Sequence, residues 1–179
     1  FNMGEACSDR QISLKNGKQT AMIVEDDQLG SSNITYDELA AKTNQFAEII
    51  KNLKLEKQSR VLVRLPNCLH YPIAFLGAMK AGCIAVPTST LLTATEVIYL
   101  AKDSEAAVLV TDHETWKSLE PIAEELTFLK AVFIHQASHD LSSDYLDVKD
   151  LGNEMDKIEV CTPNPATKSD DPAYLVYTS

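Results

Sequence analysis

Glycine, basic residues and long apolar runs are all scarce in this sequence. Six glycines occur in 179 residues and none follows Gly152. Lys and Arg number 16 against 26 Asp and Glu, which leaves a net charge of −10 and no basic cluster, so the composition argues against a nucleic-acid partner. No apolar run approaches the roughly 20 residues of a membrane-spanning helix, and no signal peptide opens the sequence. We therefore expect a cytoplasmic protein without a membrane span.

Cysteine and histidine are present but scattered. None of them has the close spacing of a zinc-binding motif, so we expect no metal site. We interpret each as a core or solvated residue in a reducing compartment. These residues are Cys7, Cys68, Cys83, Cys161, His70, His113, His135 and His139.

Helix and strand signals alternate along the chain. Thr35 with Glu38, and Thr93 with Glu96, have the spacing of a capping box and predict that helices begin there. Similar reasoning predicts a helix that ends at Gly82, a third capping pattern in "TDHE" and a helix break at Pro121. Apolar runs predict strands at 20–26, 60–65, 83–87, 106–111, 131–134 and 173–178, while 27–33 is expected to be a polar loop and 145–151 a helix.

The predicted strands from residue 60 onward are continuous apolar runs without alternation. Such runs are typical of parallel strands that are covered by helices on both faces. We therefore predict an α/β fold with a doubly wound parallel sheet. We expect residues 1–54 to form an N-terminal strand region with a long helix, and residues 55–179 to form a parallel α/β subdomain.

The last predicted strand ends in Tyr177, Thr178 and Ser179, with no helix after it. Ligands of open parallel sheets gather at the carboxyl ends of the strands, and hydroxyl-rich turns there can donate hydrogen bonds to a phosphate. The glycines of such a turn are absent. On this pattern alone, a plain strand end is a more frequent explanation than half of a phosphate site.

Three segments resemble the adenylate-forming (AMP-binding) enzymes, which include acyl-CoA synthetases, luciferases and peptide-synthetase adenylation domains. "ITYDELAAKTNQFA" (34–47) is similar to the opening core motif, and "AFLGAMKAGCIAVPTS" (74–89) to the second. "DPAYLVYTS" (171–179) is similar to the start of the phosphate-binding motif. The segment at 86–104 resembles acyl- and aryl-CoA synthetases of the benzoate– or 4-coumarate–CoA ligase type.

The resemblance implies part of an ATP-dependent ligase that forms an acyl-adenylate and then an acyl-CoA thioester. Its cofactors and substrates would be ATP, Mg²⁺, coenzyme A and a small carboxylic acid. Thr178 and Ser179 would begin the ATP phosphate-binding loop, at which the chain is expected to be truncated. The resemblance places the catalytic and metal-binding residues after Ser179, so no catalytic or metal residue is assigned, and this chain alone is expected to be inactive.

Four residues stand out within the motifs, namely Tyr36, Asp37, Lys80 and Pro87. We expect them to serve in helix capping, solvation and strand termination. We also expect residues 20–35 to expose apolar surface or to cover it by self-association.

Two alternative functions stay open. The first is an adenylation domain that loads an amino or aryl acid onto a carrier protein. The second is a non-enzymatic α/β binding module.

Overall fold

The computed structural model describes residues 1–26, 30–137, 141, 143–159 and 167–178. Within these ranges, no helix combines the length and apolarity needed to span a bilayer. The helices are α1 (Met3–Cys7), α2 (Asp9–Ser13), α3 (Tyr36–Asn52), α4 (His70–Lys80), α5 (Ala94–Asp103), α6 (His113–Leu119) and α7 (Leu151–Asp156), with a 3-10 segment at Glu120–Leu126. The strands are β1 (Thr20–Asp26), β2 (Gly30–Thr35), β3 (Arg60–Arg64), β4 (Ile84–Pro87), β5 (Ala106–Asp112), β6 (Ala131–His135) and β7 (Val148–Asp150).

The main sheet has five parallel strands in the order β4-β3-β5-β6-β7. Its first strand in the chain, β3, lies inside the sheet, and the chain then adds β4 on one side and β5 to β7 on the other. This reversal of strand order is the topology of a doubly wound sheet. β1 and β2 form a separate antiparallel pair.

Two hydrophobic clusters cover the two faces of the sheet. Val61 and Val63 belong to the cluster under α3, α4 and α7, whereas Leu62 between them belongs to the cluster under α5 and α6. In the first cluster, the rings of Phe46 and Phe133 meet edge to face with centroids 6.2 Å apart. Trp116 is buried in the second. Helices therefore cover both faces, which confirms the predicted fold class.

Both predicted capping boxes are present. Glu38 N donates to Thr35 Oγ1 at 3.3 Å, and Thr35 N donates to the Glu38 carboxylate at 2.8 Å. The pair Thr93 and Glu96 repeats this arrangement at the start of α5. The third pattern is shifted by one residue, because Asp112 rather than Thr111 caps α6.

The predicted helix ends are also found. Gly82 has φ +79 directly after the C-terminal end of α4, a left-handed conformation that favours glycine. Pro121 lies within the 3-10 segment that follows α6, so the helix does not continue through it.

Two predictions of local structure are wrong. Residues 30–33, expected in a polar loop, belong to β2, where pairing with β1 gives their backbone groups partners; residues 27–29 lie outside the described residues. The helix expected over 145–151 begins only at Leu151, because Asp150 caps it by accepting a hydrogen bond from Asn153 N at 2.6 Å. Before this cap, the chain pairs with β6 as an edge strand.

The segment 173–178, predicted as a strand, is extended but forms few backbone hydrogen bonds to the sheet. Its one bridge joins Tyr174 to Ala85 of β4 in the parallel direction. Ala85 N donates to Ala173 O at 3.1 Å, and Leu175 N donates to Ala85 O at 2.9 Å. This segment therefore lies along the free edge of β4.

Candidate functional site

The carboxyl edge of the sheet is the place where this architecture can bind a ligand. Because the strands are parallel, β3 ends there at Arg64, β5 at Asp112, β6 at His135 and β7 at Asp150. Open α/β sheets bind ligands outside these ends, at the point where the strand order reverses. That point lies between β3 and β5, next to the end of β4.

The segment that follows Pro172 reaches this edge beside β4. Tyr174 packs its ring near Phe75 of α4, with centroids 6.0 Å apart, whereas Tyr177 packs against the cluster on the opposite face. Tyr177 Oη donates a hydrogen bond of 2.7 Å to Asp103 at the end of α5. Burial, together with this hydrogen bond and the Asp103 charge, raises the pKa of Tyr177 to about 12, so the phenol keeps its proton. The segment is thus fixed to both α4 and α5.

Thr178 lines an open groove of about 550 Å³ beside the end of β4. Leu92 and Leu100 give the groove an apolar part, and three residues with hydroxyl side chains, Thr88, Ser89 and Thr178, also line it. Thr88 Oγ1 is buried and has no hydrogen-bond partner among the described residues. The groove is lined by Pro87, Thr88, Ser89, Leu92, Glu96, Tyr99, Leu100, Tyr177 and Thr178.

The sequence-based site residues are Thr178 and Ser179. The structure places Thr178 on the groove at the carboxyl edge. Ser179 lies outside the described residues. Because Glu96 is the one charged residue among the described lining residues, the groove as described has no cation to meet a phosphate.

Arg64 holds one wall of the groove, a role that sequence reasoning missed. Its Nη2 donates to Thr90 O at 2.9 Å and to Leu92 O at 2.5 Å, and its Nη1 donates to Thr115 Oγ1. Burial lowers the pKa of Arg64, and the nearby Asp112 charge counteracts part of that effect. The available signal was an arginine at the carboxyl end of "RVLVRL", directly after the apolar residues Val61 to Val63.

Cys68, His70 and His135 also meet at the carboxyl edge. One ligand atom from each lies within 4.8 Å of the other two. The two imidazole rings are 4.2 Å apart between centroids and tilted by 32°. The sequence suggested scattered residues and no metal site, but it could not show that the end of β6 lies beside the start of α4. The three side chains form a group that can hold a metal ion.

Burial controls the protonation of this cluster. It lowers the pKa of His70 to about 4, with His135 and Lys42 acting in the same direction. It also lowers the pKa of His135, against the opposing charges of Asp112 and Asp150. Burial thus favours the neutral form of both imidazoles, the form in which histidine binds a metal.

Lys80 is not solvated, so that part of the prediction for the motif residues is wrong. Its side chain is fully buried and its ammonium forms an ion pair with Asp9. Lys80 Nζ also donates to Thr43 Oγ1 at 2.7 Å and to Asn44 Oδ1 at 2.6 Å. A buried ammonium needs such partners because burial removes its hydration. Its role here is structural.

The other three motif residues lie at element ends. Tyr36 and Asp37 open α3, where Asp37 pairs with the exposed Lys18 at 2.9 Å. Pro87 is the last residue of β4, as predicted, and also lines the groove.

The sequence model of the AMP-binding enzyme family matches residues 10–179. Benzoate–CoA ligase from Thauera aromatica is 28% identical over 100% of this chain and 32% of its own length. A 4-hydroxybenzoate–CoA/benzoate–CoA ligase from Rhodopseudomonas palustris is 29% identical over 100% of this chain and 31% of its own length. This chain thus spans about a third of the length of these curated relatives.

The fold is also similar to a solved structure, that of the anthranilate CoA ligase AuaEII in complex with anthranoyl-AMP. The TM-score is 0.85 at 21% identity, over 100% of this chain and 32% of that chain. Coronafacic acid ligase from Pectobacterium brasiliense gives a TM-score of 0.83 at 19% identity, over 99% of this chain and 33% of that chain.

Proposed function

Because this chain belongs to the AMP-binding enzyme family, we propose that the protein is an ATP-dependent ligase that joins a carboxylic acid to coenzyme A. One observation carries the proposal. Two relatives that align over the whole chain are named benzoate–CoA ligase and 4-hydroxybenzoate–CoA/benzoate–CoA ligase. The same names favour an aromatic acid as the substrate class.

The proposed reaction has two steps. A carboxylate oxygen of the acid attacks the α-phosphorus of ATP, the bond to the β-phosphate breaks, and pyrophosphate leaves. The thiol sulfur of coenzyme A then attacks the acyl carbon and loses its proton, and AMP leaves as the thioester forms. Phosphoryl chemistry of this kind depends mainly on positioning and on neutralising charge.

In this proposal, the hydroxyl groups of Thr178 and Ser179 donate hydrogen bonds to the phosphate oxygens of ATP. Support comes from the position of Thr178 on the groove and from the anchoring of Tyr177 by Asp103. A hydroxyl held beside a fixed residue loses less conformational freedom when it binds a ligand. Arg64 contributes indirectly, since it donates hydrogen bonds to the carbonyl of Leu92, which lines the groove, and to that of Thr90, two residues before it.

The described residues around the groove do not fit a dedicated magnesium site. Glu96 already accepts hydrogen bonds from Thr93 in the capping box, and Asp103 accepts one from Tyr177. Mg²⁺ prefers several waters and substrate phosphates to a protein cage. We therefore propose that Mg²⁺ arrives bound to the phosphates of ATP, and we assign it no ligand in this chain.

The test uses the complete gene product that contains this sequence. It is incubated with ATP, Mg²⁺, coenzyme A and one acid at a time, and both pyrophosphate and acyl-CoA are measured. We expect both products with benzoate or a hydroxybenzoate, and less with an aliphatic acid of similar size. Pyrophosphate without acyl-CoA, together with acylation of a carrier protein, would favour the adenylation-domain alternative. Absence of both products with every acid would favour the non-enzymatic module.

We also propose that the β1–β2 pair mediates self-association of this chain. Ile23 of β1 is 61% exposed, whereas Ile34 of β2 is buried. A two-stranded ribbon has unpaired backbone groups along both outer edges, so it is a ready site for adding a further strand.

A further inference from the structure

The cluster of Cys68, His70 and His135 lies at the same sheet edge as the groove but does not line it. It joins two separate parts of the chain. Cys68 and His70 stand at the start of α4, and His135 is the last residue of β6. Gln136, directly after His135, has φ 54, a strained conformation for a residue other than glycine.

The donor set is specific in its chemistry. A thiol sulfur and two imidazole nitrogens are borderline-soft ligands, which suit zinc and related transition metals better than magnesium or calcium. All three residues are half-buried, so solvent competes less for the site than at an exposed surface. Burial raises the pKa of the Cys68 thiol, and hydrogen bonds from the backbone N–H groups of Tyr71 and His70 offset only part of that effect, so a bound metal has to displace the thiol proton.

Two carboxylates lie around the cluster. Asp112 and Asp150 end the strands on either side of β6, and each is close enough to act on the charge of His135. Metal-bound histidines usually have a carboxylate or carbonyl partner that orients the ring. The positive charge of Lys42 acts near His70 and opposes a cation, but it lies on an exposed side chain that can turn into solvent.

We propose that Cys68, His70 and His135 form a three-ligand site for a divalent transition metal of the zinc class, with the fourth position open to water. The fourth position is left open because neither Asp112 nor Asp150 belongs to the group of ligand atoms that lie within 4.8 Å of one another, and both carboxylates cap helices, Asp112 by accepting from Thr115 N at 2.7 Å and Asp150 from Asn153 N at 2.6 Å. Three protein ligands with a water is the coordination of zinc sites that retain a reactive position.

Binding would connect the start of α4 to the end of β6. Because the metal binds the folded chain and the thiolate form, it should raise the unfolding temperature and release a proton from Cys68. The inference is independent of the proposed ligase activity. Its tests use the metal alone, so failure of one proposal is distinguishable from failure of the other.

The first experiment titrates the reduced 179-residue chain with Co²⁺ as a spectroscopic probe and then with Zn²⁺. We expect one Co²⁺ per chain, a thiolate-to-cobalt charge-transfer band, and its loss when Zn²⁺ displaces Co²⁺. Cys68→Ser should abolish the band, and His135→Gln should weaken binding by about 100-fold or more, since even outer-shell changes cost about 10–100-fold. Cys7→Ser, which changes an exposed thiol outside the cluster, should leave the titration unchanged. No band, or a band that survives Cys68→Ser, would overturn the proposal.

The second experiment does not depend on whether a variant folds. The unsubstituted chain is treated with iodoacetamide with and without Zn²⁺, and the labelled cysteines are identified by peptide mapping. With Zn²⁺ at about ten times its Kd, the metal-free fraction falls about 10-fold, so the alkylation of Cys68 should slow by that factor while Cys7 reacts at the same rate. Equal rates at Cys68 with and without Zn²⁺ would contradict the site.

Discussion

The ammonium of Lys80 forms an ion pair with the carboxylate of Asp9, and this contact ties α2 to the end of α4. The pair is unequal in exposure, since the Lys80 side chain is fully buried and that of Asp9 is 22% exposed. The side chains of Thr43 and Asn44, both in α3, also accept hydrogen bonds from the ammonium. Three helices therefore depend on one charged group.

We expect Lys80→Met to destabilise the chain by about 2–4 kcal/mol. Removing one partner of a buried pair typically costs about 3–5 kcal/mol, and the partial exposure of Asp9 reduces that cost. Urea unfolding followed by circular dichroism measures the effect. Lys117→Met is the matched control, because the pair of Lys117 with Glu114 is exposed and should be worth about 0.2–1 kcal/mol. Equal losses in the two variants would contradict the structural role of Lys80.

Gly77 allows α3 and α4 to approach closely. A Cβ at this position would lie 2.8 Å from Phe46 Cδ1 and 2.9 Å from Thr43 O. We expect Gly77→Ala to destabilise by about 1–3 kcal/mol through overpacking, although alanine alone favours a helix by about 1 kcal/mol. Combining it with Phe46→Leu should cost less than the sum of the two changes, because the smaller side chain makes room. If the losses of unfolding free energy in the two single variants simply add in the double variant, the clash of the new Cβ is not with Phe46.

The capping boxes predict a dependence of stability on acid. Hydrogen bonds from the backbone and the hydroxyl of Thr35 hold the pKa of Glu38 below its usual 4.5, and Thr93 does the same for Glu96. Because the folded pKa is depressed, this stabilisation is present above the unfolded pKa and is lost as pH falls through the folded pKa. The double variant Glu38→Gln/Glu96→Gln should therefore show a smaller fall in the free energy of unfolding on acidification than the unsubstituted chain.

The control for this dependence on acid is Glu124→Gln, at an exposed position away from both helix starts. It should leave the fall in the free energy of unfolding on acidification unchanged. If the double variant and the unsubstituted chain lose the same unfolding free energy on acidification, the capping boxes do not cause the loss of stability in acid.

If the chain associates through the β1–β2 pair, its average mass in solution should rise with protein concentration. We expect Ile23→Lys to shift the chain toward the monomer in sedimentation velocity, because it places a charge on the exposed strand β1. Leu91→Lys is a control, since Leu91 is 91% exposed in the loop after β4. A shift produced by the control but not by Ile23→Lys would move the interface to that loop.

The sheet could be predicted from the sequence because its signals are local. Apolar runs such as 106–111 and capping residues such as Thr35 act within one turn or strand, so the pattern alone locates them. The prediction of a helix over 145–151 was wrong, because Asp150 both ends strand β7 and caps the helix that begins at Leu151. The division of the chain near residue 54 stays a prediction.

The site could be predicted only in part, since it depends on contacts between distant residues. The separation between Cys68 and His135 in the chain hides a cluster that parallel pairing of β3, β5 and β6 brings together. The burial of Lys80 was hidden for the same reason, because Asp9 lies in a different helix. Thr178 was identified because the resemblance marked its motif. Its role in binding phosphate stays a prediction.

The anchoring of the last segment can be tested at Tyr177. Tyr177→Phe removes the 2.7 Å hydrogen bond to Asp103. Because Asp103 is exposed, we expect a loss of about 0.5–1 kcal/mol, the lower part of the range for one hydrogen bond. Amide exchange at Leu175, whose N–H donates to Ala85 O, should then speed up about 2–5-fold. Tyr99→Phe, on the same groove, should leave that rate unchanged, and equal acceleration by both changes would exclude the anchor.

The last prediction concerns nucleotide binding by the 179-residue chain. The described groove offers neutral hydroxyl groups, such as that of Thr178, and the carboxylate of Glu96, and no lysine or arginine lines it. A neutral hydrogen bond contributes roughly 0.5–1.5 kcal/mol, whereas association costs at least about 4 kcal/mol in lost freedom. We therefore expect ATP with Mg²⁺ to bind with a millimolar Kd or weaker, and no pyrophosphate exchange into ATP. Calorimetry checks the affinity, with Thr178→Ala as the paired variant. Micromolar binding that survives Thr178→Ala would place the nucleotide site elsewhere in the chain and remove the support that the groove gives to the proposed role of Thr178.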